Sequence, residues 1–68
     1  MDITFGELWD SLKNYPRSIN YYDQNKNEED TINNYSEMRF FESEHREDVV
    51  EEFAIYASGA GFKLEVTL

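Results

Sequence analysis

The chain has 68 residues, with fifteen Asp and Glu against six Lys and Arg and a formal net charge of −9. That charge disfavours direct binding to nucleic acid, whose backbone is itself anionic, and to an anionic membrane surface. With no cysteine in the sequence, a disulfide framework and a cysteine nucleophile are excluded, and zinc would have only His and carboxylates for ligands.

The length fits one small domain, 1–68, with a core that is marginal by size alone. One Trp, five Tyr and five Phe argue for a folded chain rather than a disordered acidic tail. The start, MDITFGELW, has no basic region followed by an apolar run, and no apolar stretch reaches membrane-spanning length. Residence in the cytoplasm is the expectation. Asn34-Tyr35-Ser36 fits a glycosylation acceptor, which without a secretory signal reads as chance.

Thr4 and Glu7 have the spacing of a capping box, and Ile3 and Leu8 that of a hydrophobic staple. Phe5, Leu8, Trp9 and Leu12 then share one face, which predicts a helix from Phe5 to about Asn14, closed by Pro16. Ser18 to Asp23, SINYYD, is rich in β-formers and predicts a strand. Gln24 to Asn34 is polar and turn-forming. It reads as a plain loop, or as a hairpin tip near Asn25 to Glu28 with the next strand beginning at Thr31. Tyr35 to Glu42, YSEMRFFE, predicts a second strand with Met38 and Phe40 toward the core and Tyr35 and Phe41 on the opposite face.

Ser43 to Gly61 predicts the main helix. Ser43 is a good N-cap, Glu44, Glu47 and Asp48 suit the positive end of a helix dipole, and Gly59 and Gly61 supply a stop. Val50, Phe53, Ala54 and Ala57 recur at helical spacing, and Glu44, Glu47, Asp48, Glu51 and Glu52 take the other face. Phe62 to Leu68 alternates apolar and polar residues without error and predicts the last strand. The fold expected is α+β, in the order α-β-β-α-β: a three-stranded, mainly antiparallel sheet ordered 2-1-3, with two helices on one face.

Chemistry-bearing motifs are sparse. His45 is the single histidine, with no evident nucleophile to serve, and glycines 6, 59 and 61 form no phosphate loop. Asp23, Asn25 and Asn27 match the first three ligand positions of a calcium loop, but Glu28 stands where that loop needs glycine and Asn34 where it needs glutamate. The expectation is a non-enzymatic protein without metal or cofactor.

The acids are the functional clue. Glu28, Glu29 and Asp30 form one run, and Glu42 through Glu52 holds six acids against one Arg and one His. On the predicted helix these acids make a line with steps of about 5 Å, and like charges at that spacing cost a few tenths of a kcal/mol per pair. The expected partner-binding residues are Glu28, Glu29, Asp30, Glu44, Glu47, Asp48, Glu51 and Glu52, and the expected partner is a basic protein that handles nucleic acid. In size, charge and expected architecture the chain resembles the small acidic inhibitors of phages and mobile elements, the anti-CRISPR and other DNA-mimic proteins. That resemblance implies an inhibitor acting in the host cytoplasm that blocks the nucleic-acid groove of a defence enzyme. The alternative is a self-associating module, a homodimer, that uses a sheet edge or the outward aromatics Tyr22, Tyr35 and Phe41, its acidity serving solubility.

Overall fold

A computed structural model describes residues 2–68. The elements are α1 (Phe5–Ser11), β1 (Ser18–Asp23), β2 (Glu28–Ile32), α2 (Tyr35–His45), β3 (Glu52–Ser58) and β4 (Gly61–Thr67). The four strands form one mixed sheet, ordered β2-β1-β4-β3. β1 and β2 pair antiparallel, as do β3 and β4, and the central pair β1 and β4 is parallel.

The start of α1 satisfies all of its free backbone donors. Thr4 Oγ1 accepts from Glu7 N while Glu7 Oε1 accepts from Thr4 N, so the predicted capping box is present. Leu8 N donates to Thr4 O, and Phe5 N and Gly6 N donate to the carbonyls of Asp48 and Arg46. The loop before β3 thus completes the cap of the first helix, and Thr4 and Val49 form an isolated bridge beside it. The helix ends at Ser11, three residues short of the expected end.

β1 has the predicted bounds, and the segment after it is a hairpin. The turn is built on Asp23, whose carboxylate is buried and accepts from the amides of Asn25 and Lys26. Asn27 takes a left-handed φ of 49° and accepts from the Tyr22 hydroxyl. The residues with partial calcium-loop spacing therefore serve the turn, and β2 begins at Glu28 rather than Thr31.

Two expected elements exchange character. Tyr35 to Glu42 is helix, not strand. Asn34 is its N-cap, accepting from the amides of Ser36 and Glu37, and Met38 and Phe41 are its buried residues, three apart as a helix requires. Phe41 therefore points inward, with Phe5 edge-on at 5.2 Å and Tyr21 at 4.5 Å, while Phe40 is exposed. The reverse was expected. The helix expected over 43–61 is absent: α2 ends at His45, a loop follows, and residues 52–58 form strand β3.

This added strand corrects the sheet. Of the expected order only the place of the last strand beside β1 survives: the expected second strand, Tyr35 to Glu42, is α2, the far side of β1 is taken by β2, and β3 reverses the chain before β4, so β4 runs parallel to β1 and not antiparallel. The hairpin between β3 and β4 turns on Gly59, whose φ of +59° at the first of two loop positions suits a type II′ turn. Two helices on one sheet face, and the α+β class, stand as expected.

The core lies between the helices and that face. Phe5, Leu8, Met38 and Phe41 pack against Ile19, Ile32, Leu64, Val66 and Leu68, with Val50 from the loop. The other sheet face carries Asn20, Tyr22, Glu29, Thr31, Lys63, Glu65 and Thr67, none of them buried. Among the described residues no helix is long and apolar enough to cross a membrane.

Candidate functional site

With no helix across 43–61, the acids do not form the expected line. The structure distributes them over the β2 edge, the end of α2 and the loop into β3. All eight nominated acids are exposed.

Glu28 and Glu44 are brought together. They line a groove of about 450 Å³ between α2 and the β1–β2 hairpin, whose walls also include Glu37, Lys26, Phe40, Tyr21 and His45. Glu28 is positioned by the Tyr21 hydroxyl, which donates to its Oε1 at 3.1 Å. Burial, that hydrogen bond and the nearby charges of Glu28, Asp30 and Asp23 all raise the Tyr21 pKa, so the hydroxyl keeps its proton and stays a donor.

Glu47, Asp48 and Glu51 form a second group. They line a hollow of about 360 Å³ with Gln24, Asn25, Val49 and Leu68, where the loop before β3 meets the hairpin turn. Among the described residues Asp48 is the one nominated acid with a basic side chain within ion-pair distance: its Oδ2 lies 2.7 Å from His45 Nδ1. Glu29 and Asp30 share a shallow hollow with Asn20 and Thr31 at the β2 edge. Glu52 stands apart on the sheet face away from the helices, near Glu65.

The remaining ion pairs among the described residues belong to Arg46, which bridges Asp10 at 2.6 Å and Glu42 at 2.8 Å. Those hydrogen bonds raise the pKa of Arg46, so the guanidinium is held charged between α1 and α2. The basic residue next to the acid run is thus engaged with Asp10 and Glu42, and Glu44, Glu47, Glu51 and Glu52 have no cationic partner within ion-pair distance among the described residues.

Sequence reasoning missed Glu37, Phe40 and Glu65 as members of these surfaces. The first two were within reach. Asn34 followed by Glu37 three positions later is a helix-start pattern, and on that helix Glu37, Phe40 and Glu44 fall on one side. Glu65 depends on which strand lies next to β4, which the sequence does not state.

His45 is held by Asp48 and packs on the Phe41 ring at 4.4 Å. No cluster of three or more His, Asp or Glu among the described residues is arranged to hold a metal ion. The surface is suited to long-range attraction of cations and to charged hydrogen bonds with Lys and Arg. No family model, curated protein or solved structure matched the chain.

Proposed function

We propose that this chain is a non-enzymatic binding protein whose carboxylates engage a basic protein that handles nucleic acid. The observation that carries the reading is the charge balance of the surface. Seven of the eight nominated acids lack an ion-pair partner among the described residues, and all of these but Glu52 line hollows shared with another of the eight.

A basic groove that accepts phosphates accepts carboxylates by the same charge and hydrogen-bond chemistry. The α2–hairpin groove adds Phe40 and Tyr21, which offer a contact surface to the aliphatic stems of Lys and Arg. In this reading the protein is an inhibitor that occupies a nucleic-acid groove, as the DNA-mimic and anti-CRISPR proteins do. It places the acids on two walls and a loop, not on one helical line.

The test is capture from a bacterial lysate by the immobilised protein, compared with a variant carrying Glu28→Lys, Glu44→Lys, Glu47→Lys and Glu51→Lys. Retention by the parent of a basic nucleic-acid-binding protein, released by salt and not retained by the variant, is the expected result. Equal retention by the two proteins, or capture that salt strengthens, contradicts the proposal.

A further inference from the structure

The two edges of the sheet are built differently. The β2 edge carries Glu28, Glu29 and Asp30, charges of the kind that keep an edge from pairing with another chain. The β3 edge carries a charge only at its first residue, Glu52. From Phe53 through Gly61 no residue is charged. Phe53, Ile55 and Tyr56 are 48%, 51% and 52% exposed, although Phe53 and Ile55 lie opposite the buried Val66 and Leu64. The core beneath the helices takes Ile19 from β1, Leu64 and Val66 from β4 and Ile32 from the end of β2, and no residue of β3.

The register says which backbone groups remain free. A two-residue loop joins Ser58 to its partner Gly61, and such a loop is closed by a pair hydrogen-bonded in both directions. Alternation along the ladder then turns the N–H and C=O of Ser58, Tyr56 and Ala54 toward β4. Those of Phe53, Ile55 and Ala57 face outward from the edge.

We infer that β3 pairs with β3 of a second copy of this chain, antiparallel about a two-fold axis at Ile55, to make one eight-stranded sheet. This register sets Ile55 opposite Ile55, and Phe53 opposite Ala57, in both copies. Every outward-facing residue of one strand then meets an outward-facing residue of the other. Away from the axis large side chains meet small ones, Phe53 opposite Ala57 on one face and Tyr56 opposite Ala54 on the other.

The charges at the ends select this occupant. The Arg17 guanidinium lies over the Gly59 turn, where Nη1 donates to Ser58 O at 3.2 Å. Among the described residues Arg17 has no ion-pair partner. In the two-fold register Ser58 lies opposite Glu52 of the second copy. Each end of the paired strands therefore joins an arginine from one copy to Glu52, with Glu51 adjacent, of the other. The two Glu52 side chains are kept at opposite ends, and the acidic β2 edges lie at the far margins of the joined sheet.

Sedimentation equilibrium over a concentration series tests the inference. The expected result is a mass rising from the 8.1 kDa of one chain toward twice that value. Higher salt should strengthen the association, because repulsion between two bodies of charge −9 outweighs the end pairs. Salt weakens the basic-partner binding proposed above, so failure of one reading is distinguishable from failure of the other.

Ile55→Pro removes an outward N–H and no bond to β4, and should leave a folded monomer by circular dichroism. If that variant unfolds, Ile55→Lys puts the same question through a charge on the edge. Arg17→Glu should raise the dissociation constant by about tenfold, a change of the size that close charge reversal produces, and adding Glu52→Arg should restore it. A parent that stays at one-chain mass at every concentration overturns the inference and leaves the edge to a foreign strand. So does a dimer that a folded Ile55 variant forms undiminished.

Discussion

The amide of Gly6 donates to the carbonyl of Arg46 at 3.0 Å, and a Cβ placed on Gly6 would lie 2.9 Å from that same oxygen. The first turn of α1 and the residue after α2 thus approach so closely that only glycine fits. Gly6→Ala should destabilise the fold by about 1–3 kcal/mol, because the loop backbone must shift and loosen the cap of α1. Urea unfolding followed by Trp9 fluorescence measures it. An unchanged midpoint would mean that the loop yields without cost.

Phe40 and Phe41 should differ sharply. Phe41 is buried among Phe5, Tyr21 and His45, whereas Phe40 is exposed. Phe41→Ala should cost about 3–5 kcal/mol, enough to unfold a domain this small, and Phe40→Ala about 0.5 kcal/mol or less. Thermal melts of the two variants check the pair. The opposite ranking would restore the strand expected at Tyr35 to Glu42.

Asn34 caps α2 through two backbone amides. Asn34→Ala should cost about 1 kcal/mol and Asn34→Asp little, since Asp retains the accepting oxygen and its charge suits a helix start. Comparison of the two denaturation midpoints separates a cap from a general surface effect.

Tyr21 should make the fold sensitive to alkali. Its pKa is raised in the folded state by burial, by the hydrogen bond to Glu28 and by neighbouring carboxylates. The folded chain therefore holds this proton more tightly than the unfolded chain. Its contribution to stability is complete below the ordinary tyrosine value of about 10 and falls as pH rises from there through the raised value. In Tyr21→Phe that component of the alkaline loss should vanish, read as a shallower fall in denaturation midpoint above about pH 10. An identical fall in parent and variant would contradict it.

The parts of the fold that local chemistry decides were legible in the sequence. The Thr4 capping box, the β1 segment SINYYD and the alternation of the last strand each specify one structure through contacts a few residues apart. The middle of the chain carries two periodicities at once. Met38 with Phe40 reads as strand and Met38 with Phe41 as helix, and Asn34, a helix cap, resembles the end of a polar loop. In 52–58, Phe53, Ala54 and Ala57 satisfy helical spacing, while Phe53, Ile55 and Ala57 satisfy alternation. Pairing with β4 settles that choice, and pairing is a long-range event. The candidate site inherited the ambiguity. The acids were visible as a group, but their expected line needed a helix where the chain forms a loop and an edge strand.

The central claim, that these carboxylates occupy a site meant for nucleic acid, is tested most directly by competition. The captured basic protein is bound to a fluorescent DNA or RNA duplex, and this chain is titrated in while anisotropy is followed. Anisotropy should fall to the value of free duplex at a stoichiometric ratio, and the four-lysine variant should leave it unchanged. Anisotropy that stays constant or rises, with both ligands bound to the partner together, would contradict it.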